Sequence, residues 1–320
     1  MTFRVLVTGA TGFLGSHVVQ KLVSQKDALV YGTHRSGIDQ VVADGAQNLV
    51  YLRCDLSERP AVAEIFDRHN FDAVIHTAAS ISNLNDSDYL VKAIQNNIVA
   101  HANVLSEALA HSCRRYVYCS TISLYGDMIE NNRPVTEDDR PKSVNLYGWS
   151  KYAAEDMLKI MAGNNSSLKS VSLRLAGIHG PGRDKGVVHR MLFSALNGAP
   201  LHISEPRSRF RLLFVDDATQ AVLSAVSSDA GDNYACYNVA GKETFRLQEL
   251  AQQILELTGS DSEIVVRDNG QVRDQVLDTG KIERDLGFRP QPLRQHLVQF
   301  IEYVKEKQGD EVGRPVHERR

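Results

Sequence analysis

Tyr147 and Lys151 stand four residues apart in the stretch YGWSK, a spacing that puts both on one face of a helix. A phenol near pKa 10 is a poor acid or base at neutral pH, but an adjacent ammonium favours its anion and lowers that value. The pair therefore reads either as a proton donor beside a cation or as the packing face of an amphipathic helix. A second stretch, LVTGATGFLG (6–15), sets Gly9, Gly12 and Gly15 at intervals of three behind an apolar run. Where a strand hands over to a helix, glycines permit positive φ and close approach to the backbone, and the free N–H groups of the helix start attract a phosphate. Tight strand–helix packing alone would favour the same residues. Between the two stretches lie CDL (54–56), HTAAS (76–80) and STISLYG (120–126). Asp55 can accept a bond from an adenine amino group or, with Ser57, cap the helix that follows. The small residues of HTAAS leave room for a flat ligand across a sheet edge.

These residues need strands and helices in alternation to bring them together. Strands are predicted over FRVLVT (3–8), ALVYGT (28–33), NLVYLRC (48–54), FDAVIHT (71–77), RYVYCS (115–120) and KSVSLRL (169–175), with helices over 13–25, 88–111 and 147–162. That order predicts an α/β fold, a Rossmann-type doubly wound parallel sheet, with a smaller C-terminal substrate-binding lobe. The nucleotide-binding domain is expected over 1–176, with returns to the sheet near 210–241 through FRLLFVDD (210–217) and ACYNVAG (235–241). The second lobe takes 177–209 and 242–308, including helices over 245–258 and 292–306 and the strand IVV (264–266). The polar segment 309–320 is expected to be a flexible tail.

At 320 residues and 42% apolar composition the chain can bury a large core. Its 36 basic against 39 acidic residues leave a net charge of −3, and Arg207, Arg209 and Arg211 are too few to read as a nucleic-acid surface. Cys54, Cys113, Cys119 and Cys236 show neither C-x-x-C pairing nor zinc-site spacing, which fits reduced thiols in a cytoplasmic protein and no metal. No apolar run reaches the length of a membrane span.

Taken in order, TGATGFLG, CDL, HTAA, STxxxYG, YxxxK and LRxxxxxGPG resemble the extended short-chain dehydrogenase/reductase superfamily, and VDD (215–217), YNVAG (237–241) and DTGKIERDLGFRP (278–290) are similar to its sugar-nucleotide-modifying members. The resemblance implies a catalytic set of Thr121, Tyr147 and Lys151. It implies a nicotinamide dinucleotide held by Gly9, Thr11, Gly12, Phe13, Leu14, Gly15, His34, Arg35, Ser36, Asp55, Leu56, Thr77, Ala78, Ala79 and Asn97, together with Tyr147 and Lys151. Ser80, Thr121, Ser123, Gly177, His179, His189, Arg211 and Arg273 are the corresponding substrate candidates, although a solvated surface would serve His179, His189 and Arg211 equally well.

Members that use NAD usually carry an acid after the second strand, whereas this chain reads His34, Arg35 and Ser36 there. A guanidinium can pair with a 2′-phosphate that a carboxylate would repel, so NADP(H) is expected over NAD(H). Related 4,6-dehydratases place an Asp–Glu pair after the catalytic Thr, and here Ile122 and Ser123 stand in those positions. The expected activity is therefore NADPH-dependent reduction of a keto group on a nucleotide-linked sugar. The alternatives are a nucleotide-sugar epimerase, a reductase of a smaller ketone, and a non-catalytic NADP(H) sensor. Helices 88–111 and 147–162 are expected to form a homodimer interface.

Overall fold

The computed structural model describes residues 3–35, 46–81, 88–126, 133–165, 167–228, 232–272 and 274–313; Ser36 and Arg273 lie outside the described residues. The first half runs β1 (Phe3–Thr8), α1 (Phe13–Gln25), β2 (Ala28–His34), β3 (Leu49–Arg53), α2 (Arg59–Arg68), β4 (Ala73–His76), α3 (Tyr89–Ala93), a π-helical segment (Ile94–Val99), α4 (Ala100–Ala110), β5 (Arg115–Thr121), a 3₁₀ turn (Ile122–Tyr125), α5 (Leu146–Gly163) and β6 (Lys169–Leu175). The second half adds β7 (Ile178–His179), α6 (Val187–Leu196), β8 (Leu201–Ile203), β9 (Arg209–Phe210), β10 (Leu213–Phe214), α7 (Val215–Ser227), β11 (Tyr234–Val239), β12 (Phe245–Arg246), α8 (Leu247–Thr258), β13 (Ile264–Val266), β14 (Asp274–Gln275), α9 (Gly280–Leu286) and α10 (Leu293–Gly313).

Seven strands form one parallel sheet in the order β11-β6-β5-β4-β1-β2-β3. The chain changes direction across the sheet between β1 and β4, and the carboxyl ends of these two strands open the crevice in which doubly wound sheets bind ligands. Strand alternation divides the core between the two faces. Val5, Val7, Val30, Ile75 and Val117 pack with Val18 and Val19 of α1 and Ala221 and Val222 of α7. Leu6, Tyr31, Val74, Tyr116 and Tyr118 point the other way, onto Ile65 of α2, Val104 of α4 and Leu158 of α5. A separate core of Leu192, Leu250, Ile254, Leu297 and Phe300 joins α6, α8 and α10 in the second lobe.

Three expectations are corrected. FRLLFVDD does not rejoin the main sheet: Leu213–Phe214 pairs with Ile178–His179, Arg209–Phe210 pairs with β12 and β14, and Val215 already begins α7. Asp216 and Asp217 occupy the first turn of that helix, where a carboxylate meets the positive end of the helix dipole. ACYNVAG does return, as β11 beside β6. The helix over 88–111 is interrupted by the π-helical segment. The final helix continues through Gly313, so the segment read as a tail from 309 begins helical. Among the described residues no helix is long and apolar enough to cross a membrane, and no cluster of His, Cys, Asp and Glu could hold a metal.

Candidate active site

The glycine stretch forms the floor of the crevice. Gly9 has φ +66°, and a Cβ there would lie 2.8 Å from Ala78 Cα, while one at Gly15 would overlap the Gly9 carbonyl oxygen. Both glycines are thus required by conformation or by contact. Gly12 caps α1 with no side-chain hydrogen bond, which leaves the amides of the first turn without a side-chain acceptor. Thr77 Oγ1 donates to the Thr8 carbonyl at 2.7 Å, tying the end of β4 to the end of β1. A cradle only backbone can line, ending in an uncapped helix start, fits the diphosphate of a dinucleotide.

From this floor a cleft of about 590 Å³ runs along the sheet edge. Its walls bring together Gly9, Thr11, Gly12, Phe13, Leu14, Gly15, His34, Arg35, Asp55, Leu56, Thr77, Ala78, Ala79, Ser80, Thr121, Ser123, Tyr147, Lys151 and Gly177. Asp55 Oδ1 accepts from both the amide and the hydroxyl of Ser57, so its turn-forming role is present at a residue that also lines the cleft.

Four sequence candidates do not line this cleft. Asn97 is buried behind it: its Oδ1 accepts from the Ser80 amide at 2.8 Å and its Nδ2 donates to the Ser80 carbonyl and to Ser150 Oγ, both at 3.0 Å. The residue thus fastens the segment after β4 to α5. His179 is buried, and its imidazole is pushed down to about 3 by burial and then by the Arg183 charge. Half-buried His189 stacks on the exposed Phe193 and meets Phe300 at the edge of the α6–α8–α10 core. Arg211 donates to the carbonyls of Leu277 and Lys242.

The end of the cleft that carries the catalytic candidates Thr121, Tyr147 and Lys151 is built by β5 and α5. Thr121 ends β5, and its Oγ1 accepts from the Ser123 amide at 3.2 Å. Asn145 caps α5 by accepting from the Gly148 amide at 2.8 Å, and a Cβ on Gly148 would overlap the Ser123 carbonyl oxygen. This close approach seats Tyr147, one residue earlier, against the turn that carries Thr121. Lys151 is fully buried, one turn along, with Nζ 4.2 Å from the centroid of the Tyr118 ring.

The electrostatics differ from the sequence expectation. Burial, followed by Cys119, pushes the Tyr147 phenol up to about 12, and the charge that opposes the rise is Arg183 rather than Lys151. Lys151 is itself brought down to about 8 by burial, with Cys119 and Glu155 working against the fall. Desolvation outweighs the ammonium's influence on the phenol. Beneath Lys151, the His76 ring stacks on Tyr118 and His101 lies 4.6 Å from it; burial keeps both imidazoles well below their ordinary value.

Arg183 was not among the sequence candidates, because GPGRDKG reads as a charged, solvated loop. The structure places it on the cleft wall with Cys119, Ser120, Asn96 and Ile178. Asn96 is carried there by the π-helical segment.

The profile of the NAD dependent epimerase/dehydratase family matches residues 5–240. The chain belongs to this family. It is an enzyme of the extended short-chain dehydrogenase/reductase type, and its seven-stranded sheet is the one such enzymes share. UDP-N-acetyl-alpha-D-glucosaminuronate decarboxylase of Bacillus cytotoxicus is 25% identical over 97% of this chain and 100% of its own length. A solved structure of UDP-glucose 4-epimerase from Thermotoga maritima with UDP-glucose is 26% identical, with a TM-score of 0.84 over 96% of this chain and 100% of the other. MoeE5, solved with UDP-glucose and NAD, is 25% identical, with a TM-score of 0.81 over 95% of this chain and 99% of its own.

Proposed function

We propose that this family member is a nicotinamide-dependent nucleotide-sugar 4-epimerase. The observation that carries the reading is the convergence of Thr121, Tyr147 and Lys151 at one end of a cleft whose other end is the glycine cradle. Ile122 and Ser123 follow Thr121 and offer no carboxylate for eliminating water, which argues against a dehydratase. When bound, the nicotinamide ring supplies a reversible hydride acceptor. Thr121 would hydrogen-bond the sugar oxygen, and Tyr147 would take the proton from the C4 hydroxyl as that carbon is oxidised and give it back on re-reduction. A phenol pushed up to about 12 holds its proton at neutral pH, ready for the donating step. Positive charge from Arg183 opposes that rise and so favours the phenolate that the accepting step needs. Gly9 to Gly15 would hold the diphosphate, and Lys151 the nicotinamide ribose.

Reduction by NADPH, the first expectation from sequence, gives way to epimerisation because the relatives include UDP-arabinose 4-epimerases and a UDP-glucose 4-epimerase solved with UDP-glucose. It stands as the second reading on one observation. The described end of β2 offers His34 and an exposed Arg35, which donates to Asn96 Oδ1 at 3.1 Å, and no carboxylate. Incubation with UDP-glucose, UDP-galactose and UDP-glucuronic acid, with NAD+ or NADP+ added, separates the readings. Interconversion of C4 epimers without net change in cofactor absorbance is the result expected. Net NADPH oxidation on 4-keto sugars without epimer formation would establish the reductase instead.

A further inference from the structure

The loop that follows β7 is held by specific contacts. Gly180 and Gly182 adopt φ of +137° and +87°, values that L side chains rarely reach. His17 of α1 bonds the Pro181 carbonyl at 3.0 Å, and its ring meets Phe13 edge-on. The loop is therefore fastened onto the first turns of α1, and it presents Arg183 to the cleft. The guanidinium lies 5.4 Å over the Phe13 ring. Its Nε is buried with no hydrogen-bond partner. Asp184, the adjacent acid, is turned away and pairs with Lys307 at 3.8 Å; among the described residues no carboxylate pairs with Arg183. Arg183 is half-buried, and burying part of a guanidinium without a counter-charge carries a cost; an arginine held this way, beside Tyr147, is arranged in advance for an anion supplied by a ligand.

We propose that Arg183 binds an anionic oxygen group of a ligand at the junction between the α1 N-terminus and Tyr147. The chemistry is that of a phosphate or carboxylate, and it has two possible carriers: the diphosphate of the dinucleotide, lying toward Phe13, or a carboxylate on the sugar, lying toward Tyr147. The second carrier rests on the nucleotide-sugar reading above, and the first does not. Either way the bound anion neutralises the guanidinium and diminishes its pull on the Tyr147 proton.

The test is calorimetric titration of wild type, Arg183→Gln and Arg183→Lys with NAD+, ADP-ribose, UDP-glucose and UDP-glucuronic acid. Charge-assisted hydrogen bonds contribute enough that losing this one should weaken the affected ligand about ten- to a hundredfold, with Arg183→Lys recovering part of the loss. Parallel losses for NAD+ and ADP-ribose assign the diphosphate. Unchanged NAD+ binding, with loss of a wild-type preference for UDP-glucuronic acid over UDP-glucose, assigns the sugar carboxylate. Affinities within twofold of wild type for all four probes would overturn the proposal. A wild type that binds NAD+ but neither UDP-sugar refutes the nucleotide-sugar reading, while the ADP-ribose arm still decides Arg183. Among the described residues this side chain has no hydrogen bond to lose beyond its contact with the Phe13 ring, so the variants should melt within a few degrees of the wild type, which serves as the folding control.

Discussion

Removing a single oxygen tests the chemistry most directly. Tyr147→Phe keeps the ring that packs beside the Thr121 turn but removes the proton it would exchange, so turnover on any sugar that wild type converts should fall by about 10²–10⁴ while NAD+ affinity stays unchanged. Retained turnover would identify a different proton carrier. Lys151 carries a cost that its variant should reveal. Its pKa is about 8 in the fold against 10.5 ordinarily, so between those values the unfolded chain binds more protons than the folded one, and stability rises with pH across that window. Below pH 8 the burial penalty is present in full. Lys151→Met should accordingly raise the Tm of the ligand-free protein by a few degrees at pH 7, with a gain that shrinks toward pH 10, while NAD+ binding weakens. Parallel Tm profiles across that range would show that Lys151 is not buried as charge. Spacing alone was enough to set these two residues on one helix, and both line the cleft. The direction of the phenol's shift was not legible, because it depends on how deeply both groups are buried, and a one-dimensional pattern does not carry that. Arg183 escaped for a related reason: a cation in a glycine loop looks solvated until His17 and Phe13 are seen to hold the loop down.

Among the elements, legibility followed periodicity. The six strands of the first half and α1 and α5 occur within a residue or two of their predicted places, since alternating burial on a two-faced sheet and the three-to-four repeat of a helix both mark the sequence. FRLLFVDD misled because an apolar run of that length suits a sheet strand, whereas here Leu212, Leu213 and Phe214 are buried by joining the two cores. The π-helical segment left no sequence signal; one wide turn shifts register so that Asn96 faces the cleft and Asn97 the interior, a change that no composition rule reports. The β1–α1 turn allows a prediction at this scale. A methyl group at Gly15 must displace the Gly9 carbonyl, and overpacking of this kind costs about 1–3 kcal/mol. Gly15→Ala should therefore lower Tm by several degrees and weaken NAD+ binding, whereas Gly198→Ala, with nothing within 4 Å of its Cβ position but a φ of +67°, should lower Tm modestly through backbone strain and leave NAD+ binding alone. Equal effects on NAD+ from both would remove the cradle's special role.

For the whole molecule, the surface left over by the two lobes is informative. α3 and the π-helical segment expose Leu90 (57%), Val91 (53%) and Ile94 (36%), and α5 exposes Trp149 (46%) and Ile160 (61%). Trp149 and Ile160 are eleven residues apart, three helical turns, and so lie on the same face, while the opposite face of α5 packs Ala154 and Leu158 into the core. The two exposed groups belong to elements that pack against each other, and apolar side chains exposed on neighbouring elements suit an interaction site. A second copy of the chain is the occupant proposed, related by a two-fold axis that sets α3 and α5 of one protomer against those of the other in a self-complementary contact. Sedimentation at micromolar concentration should then give a dimer, and Trp149→Glu combined with Ile160→Glu should give a monomer, since like charges would be buried against one another without a counter-charge. Lys151 shares α5 with these residues but points inward, so the monomeric variant should still bind NAD+. A wild type that sediments as a monomer would mean that this face has some other partner.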